Sequence, residues 1–134
     1  MASSITRLNP PALPDSAAMG YSQITIVEPG RMAYVSGQVA ARRSGAPVPT
    51  DLAEQATLVA ANAKAALDAL GATPHDIVIA RIFVVDLTSE RLEKLFPPIL
   101  AMFDGAQPCI TGVGVAALAG PALQIEMELT VRLP

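Results

Sequence analysis

The last part of the chain shows the clearest alternation of apolar and polar residues. Between positions 123 and 132 every second side chain is apolar, namely Leu123, Ile125, Met127, Leu129 and Val131. Successive side chains of a β-strand point to opposite faces of the sheet, so the pattern predicts a strand with one buried face. Glu126 and Glu128 then share the polar face of that strand.

Two other segments repeat apolar residues at helical spacing. Positions 52–70 form the first, which follows Asp51 and Glu54 at capping-box spacing and stops at Gly71. Positions 92–103 form the second, and Pro97-Pro98 interrupts it. Each proline removes a backbone donor and clashes with the preceding turn, so we expect a kinked or two-piece helix there.

The remaining apolar segments are typical of strands. Positions 23–27 alternate, positions 28–31 form a turn with Pro29 and Gly30 at its centre, and positions 32–36 return. This arrangement predicts a hairpin with a type II turn. Positions 77–85 are apolar and β-branched apart from Arg81, as in a central strand that is covered on both faces.

The predicted order is β-β-α-β-α-β-β. It indicates an α+β sandwich with two helices packed on one face of a mixed β-sheet. Residues 1–20 contain three prolines and are expected to form an extended lead-in, while residues 21–134 form one domain. A length of 134 residues is sufficient for one sizeable core.

Composition narrows the class of protein. Of the residues, 51% are hydrophobic and 16% charged, a balance that suits a buried subunit interface. No apolar run approaches the roughly 18 residues of a membrane span, and the N-terminus lacks a signal-peptide core, so a cytoplasmic protein without membrane contact is expected. The net charge of −3 without a basic run argues against nucleic-acid binding.

Several motifs, in order, resemble the RidA/YjgF family of imine/enamine deaminases. The family's C-terminal signature has Pro-x-Arg, an apolar strand, a turn, and Ile-Glu-hydrophobic-Glu; Pro108, positions 113–117 and positions 125–128 match it. The resemblance covers about positions 21–128. Its other matching segments are Tyr34-Val-Ser-Gly-Gln38, Gln55 with Asn62, Leu70-Gly-Ala72, Asp76-Ile-Val78 and Phe83-Val-Val-Asp-Leu87.

The resemblance implies a chorismate mutase-like fold, a homotrimer with clefts at the subunit interfaces, a small-molecule ligand, and no cofactor or metal. It implies that Glu126 holds the water that attacks a C=N carbon. It also implies that the substrate cleft is lined by Tyr21, Ser36, Gly37, Gln38, Ile110 and Gly112.

Position 110 departs from the family pattern. The family's arginine binds the carboxylate of a 2-imino acid by a charge-assisted contact, whereas Ile110 offers neither charge nor donor. Breaking such a buried pair costs roughly 3–5 kcal/mol. We therefore expect little activity on ordinary 2-imino acids.

Other readings of the candidate residues stay open. Glu126 could be a solvated carboxylate or a partner of Arg132, and Gln55 and Asn62 more often fix loops than bind ligands. His75, the only histidine, is expected at the surface. Cys109, the only cysteine, cannot form an intramolecular disulfide and lacks an obvious neighbour that would activate it.

Three functions remain. The first is a RidA-like hydrolase with an altered substrate, which the retained Glu126 favours. The second is a non-catalytic trimer that binds a small metabolite, which Ile110 favours. The third, RNA cleavage, has little support from an acidic chain.

Overall fold

The structure, a computed structural model, describes residues 4–134 and contains one main sheet of four strands. These are β3 (Met32–Val39), β4 (Ile77–Val85), β5 (Cys109–Val115) and β6 (Ile125–Arg132), in the spatial order β3-β6-β4-β5. β4 and β5 run parallel, and the other pairs are antiparallel. The sheet is therefore mixed, as predicted, with β4 and β6 at its centre.

Two helices, α1 (Leu52–Ala69) and α2 (Ser89–Phe103), cover one face of this sheet. Burial along β6 alternates without exception, and its apolar residues enclose the core together with the helices. The two-layer α+β arrangement and the buried face of the last strand are thus confirmed. Ala80, Ile82 and Val84 supply the buried residues of β4 over the same core.

The opposite face of the main sheet, here called the open face, is much less covered. It carries Tyr34, Phe83, Val113 and Glu126. Phe83 pairs with both Val113 and Glu126, and Tyr34 pairs with another residue on the polar face of β6. Tyr34 is 78% exposed and Val113 38%. The expectation that β4 is covered on both faces is therefore wrong for a single chain.

Both helix starts follow the chemistry of their caps. The Asp51 carboxylate accepts a hydrogen bond from the Glu54 N–H at 3.0 Å, and α1 ends before Gly71, which adopts φ +67°. The Thr88 hydroxyl caps α2. α2 continues through Pro97 and Pro98 as a single helix, so the two-piece alternative is wrong.

The N-terminal hairpin prediction is also wrong. β2 (Ile24–Val27) pairs with β1 (Ile5–Leu8) in a separate two-stranded sheet, and β3 pairs with β6. Gly30 does not have the positive φ of a type II turn. Instead the Arg132 guanidinium lies against Gly30 and donates to the carbonyl oxygens of Glu28 and Pro29.

The lead-in predicted for residues 1–20 contains structure of its own. It holds β1 and a short 3₁₀ turn, Ala17–Met19, whereas positions 1–3 lie outside the described residues. Regular structure therefore already begins with β1, ahead of residue 21, where the domain was predicted to start. Among residues 4–134, no helix is both long and apolar enough to cross a membrane.

Gln55 and Asn62 fix loops, as the sequence suggested. The buried Gln55 amide donates to the carbonyls of Pro49 and Ala122, and its oxygen accepts from the Gln124 N–H. Asn62 donates to the carbonyls of Val39, the last residue of β3, and Ala41, two residues beyond it. Gln55 thereby holds the connection that leads into β6, where Glu126 lies.

Candidate active site

A bulge in β3 brings the backbone of Gly37 against the side chain of Glu126. The register of β3 shifts between Val35 and Gln38, so that two residues, Ser36 and Gly37, oppose a single residue of β6. A Cβ atom on Gly37 would lie 2.5 Å from Cδ and 2.7 Å from Oε1 of Glu126. Only glycine leaves room for the carboxylate in this position.

The bulge is held by its own polar contacts. Nε2 of Gln38 donates to the Ser36 carbonyl at 2.9 Å. Ser36 is exposed, and Gly37 and Gln38 are partly buried. The Ser-Gly-Gln segment therefore supports Glu126 through backbone shape.

The Glu126 carboxylate has no polar partner among residues 4–134. Arg132, the predicted alternative partner, donates to backbone carbonyls at 3.0 and 2.9 Å, and Glu128 pairs with Arg81 at 3.6 Å. Glu126 is partly buried, with its carboxylate on the open face. The unused carboxylate is therefore available to a water molecule or a ligand.

A second feature is an apolar pocket on the helix side of the sheet, between α2 and the edge strand β5. Its volume is about 280 Å³. Three of the predicted site residues, Tyr21, Ile110 and Gly112, line it. The other lining residues are Met19, Ile82, Val84, Leu87, Leu92, Leu95 and Phe96.

One chain does not bring this pocket and Glu126 together. Ile110 pairs with Ala80 and Gly112 with Ile82, so both lie in rows that face the helices, whereas Glu126 lies on the open face. Ile110 and Glu126 lie two strands apart across the sheet and three residues apart along it. This register places their Cα atoms about 14 Å from each other. The expectation of a single cleft is therefore not met within one subunit.

The structure also places an arginine that sequence reasoning missed. Nη1 of Arg7 donates to Oγ1 of Thr25 at 2.8 Å, and the same Oγ1 lies 3.1 Å from Sγ of Cys109. Burial lowers the pKa of Arg7, and the nearby Cys109 and Asp76 act in the opposite direction. Cys109 thus has a guanidinium near it, although no local motif signals the contact, because it depends on the pairing of β1 with β2.

The other titratable residues offer less. His75 is exposed, as expected, and Arg7 contacts its backbone carbonyl only. Within the described part of the chain, no group of three or more His, Cys, Asp or Glu residues could hold a metal ion. Glu126 is the carboxylate best placed for chemistry.

These features define a small α+β protein that has an unpaired glutamate on a strand and an apolar pocket at the edge of its sheet. Comparison with known proteins identifies its family. Residues 12–133 match the family model described as Endoribonuclease L-PSP. The Escherichia coli (strain K12) RutC family protein YjgH is 33% identical over 109 residues, 81% of this chain and 80% of that protein. The chain belongs to this family, the RidA/YjgF or Rid family of the sequence resemblance.

Solved structures agree with the fold. YyfB from Yersinia pestis, a Rid family protein of unknown function, is 36% identical, with a TM-score of 0.91 over 98% of this chain and 100% of its own. TdcF from E. coli, whose crystal structure contains bound serine, is 29% identical, with a TM-score of 0.68 over 84% of this chain and 87% of its own.

Proposed function

We propose that this protein is a cytoplasmic hydrolase of imines or enamines whose active site forms between the subunits of a homotrimer. The observation that carries the proposal is the unpaired Glu126 carboxylate, held against the Gly37 backbone on an open sheet face. The bound serine of TdcF supports small-molecule binding in this family. Each active site would join the apolar pocket of one subunit to Glu126 of its neighbour.

The reaction needs one group that handles protons. The Glu126 carboxylate takes a proton from water as the water oxygen bonds to the C=N carbon, and it passes this proton to the imine nitrogen, which gives a neutral carbinolamine. Glu126 then takes the proton of the carbinolamine hydroxyl as the carbonyl forms. It gives that proton to the leaving nitrogen as the carbon–nitrogen bond breaks, so ammonia leaves, the carboxylate is regenerated and no cofactor takes part.

The open face supports assembly. The exposed Tyr34 and Val113 side chains lie on the same sheet face as Glu126, one on each edge strand, and a neighbouring subunit that packs on this face would cover both. We expect light scattering at micromolar concentration to give three times the chain mass of 13.9 kDa. A monomer mass would contradict the proposal, because the pocket and Glu126 could not then meet.

Gly37→Ala tests the position of Glu126. The new methyl group would overlap the glutamate side chain, which is flexible and can move away. We therefore expect a folded protein with stability within about 1 kcal/mol of wild type and an imine hydrolysis rate lower by about tenfold or more. Gly45→Ala, at an exposed loop glycine with φ +77°, is the control for the rate alone, since alanine is strained at that φ. An unchanged rate in Gly37→Ala would show that Glu126 does not act from this position.

Wild-type protein should leave ordinary 2-imino acids untouched. Ile110 provides no partner for their carboxylate, and none of the residues that line the pocket is charged. An amino-acid oxidase can form the imine in place while its decay is followed. Decay at the buffer rate is expected, and decay well above it would mean that a cation from elsewhere, such as a neighbouring subunit, has replaced the arginine.

A second candidate function is the binding of a metabolite without catalysis. Ile110 favours it, as does the lack of any charged residue among those that line the pocket. Saturable ligand binding without any Glu126-dependent turnover would identify this function. RNA cleavage, which the family description names, is disfavoured by the net charge of −3.

A further inference from the structure

The apolar pocket beside α2 is lined mainly by hydrocarbon. Ile82 and Val84 lie at its base, Leu92 and Phe96 form its helical wall, and Ile110 lies on the β5 side. None of the lining residues is charged. An ionised carboxylate is strongly disfavoured in such surroundings unless a cation or several donors accompany it.

Two hydrogen-bonding groups nevertheless lie at the pocket. The first is the hydroxyl of Tyr21, which makes no hydrogen bond within the described residues. The second is the peptide group of Gly112. β5 is an edge strand, and the carbonyl of Pro108, the residue before it, points away from β4 and accepts from the Ser22 N–H at 3.1 Å.

Alternate residues of a strand turn their peptide groups toward the same side. The peptide groups of Ile110 and Gly112 therefore also point away from β4, beyond the part of β5 that Ser22 covers. The Gly112 N–H can donate to a nitrogen or oxygen acceptor, while Tyr21 can donate or accept. Together they suit one polar, uncharged group on an otherwise apolar ligand.

The size of the pocket limits the ligand further. Its volume of about 280 Å³ falls just below the range of roughly 300–1,000 Å³ that suits drug-sized molecules. A compact branched chain or a single aromatic ring fits this space. Larger groups would have to extend past the exposed Met19 side chain at the rim.

We infer that the substrate class of this site is uncharged imines, and the ketones they give on hydrolysis, that carry a compact branched or aromatic group and no carboxylate on the C=N carbon. The hydrocarbon group occupies the pocket, and the C=N nitrogen or C=O oxygen accepts from the Gly112 N–H. This inference rests on the proposed hydrolase function for the reaction, but its binding step can be measured separately.

Phenylacetone and phenylpyruvate make a matched pair of probes, because they differ only by a methyl group in place of a carboxylate. The test titrates both into the full-length assembled protein and follows the Gly112 amide by NMR together with the heat of binding. Phenylacetone should shift the Gly112 amide and bind more tightly by roughly tenfold or more. Glu126→Gln should bind it as wild type does, since Glu126 acts on water.

Phe96→Ala should weaken phenylacetone binding, whereas Leu58→Ala, at a partly buried position of α1 outside the pocket lining, should not. If Phe96→Ala fails to fold, the Gly112 amide shift in wild type still reports the site. Equal binding of the two probes, tighter binding of phenylpyruvate, or no Gly112 shift at millimolar phenylacetone would overturn the inference. Preferred phenylacetone binding without hydrolysis of its imine would uphold the ligand class and refute the hydrolase.

Discussion

Glu126→Gln should lower the rate of imine hydrolysis by about 10²–10⁴-fold, the range in which a positioned general base contributes. Glutamine keeps the size of the side chain that rests on Gly37 but cannot take a proton from water. Because the Glu126 carboxylate has no polar partner among residues 4–134, its replacement by an amide breaks no polar contact and should not destabilise the fold. The measurement is the decay of an oxidase-generated imine, followed beside a thermal unfolding curve.

Glu128→Gln provides the matched control. Glu128 lies on the same face of β6, and its ion pair with Arg81 joins two side chains that are 40% and 46% exposed; such surface pairs contribute little. The control should keep wild-type activity. If both variants lose activity equally, the effect belongs to the charge of the strand face and not to Glu126 as a base.

Ile110→Arg should restore carboxylate binding, with a gain of about two to four decades in activity on small 2-imino acids. The substitution places a guanidinium at the pocket that holds Tyr21 and Gly112, and a guanidinium binds a carboxylate through two parallel hydrogen bonds. Adding Glu126→Ala in the same background should remove the gained activity. The test is the coupled oxidase assay with the imines of serine and threonine.

The same substitution should carry a cost in the free protein. An arginine among apolar side chains has no anion until a ligand binds, so the melting temperature should fall and then recover when a 2-oxo acid is added. Ala61→Arg adds the same charge at an exposed position of α1, away from the open face, and should show neither effect. A folded Ile110→Arg variant without ligand stabilisation or activity would favour the binding-protein alternative.

The parts of the fold that were predicted correctly are those whose cause is local. The alternation in β6 and the caps of α1 depend on neighbouring residues, and both elements form where the sequence indicated. The hairpin failed because strand pairing is a long-range choice. β2 is held by β1, a strand inside the segment expected to be only a lead-in, while Arg132 determines the turn between β2 and β3.

The candidate site was predictable only in part for the same reason. The sequence put Glu126 on a polar strand face, and the structure agrees. The face of Ile110 could not be deduced, because β5 reads Cys-Ile-Thr-Gly-Val-Gly-Val and does not alternate cleanly. Its orientation follows from the parallel pairing with β4, which also separates Ile110 from Glu126 across the sheet.

The central claim, that one subunit's pocket works with a neighbour's glutamate, is tested most directly by mixed trimers. One parent is Glu126→Gln, and the other is Gly112→Trp, which fills the pocket from a position where a Cβ meets nothing within 4 Å. Each parent alone should be inactive. Unfolding and refolding an equal mixture should restore about a quarter of wild-type imine hydrolysis, because that share of interfaces joins an intact pocket to an intact Glu126. Activity no higher than that of the parents, in confirmed mixed trimers, would contradict a shared site.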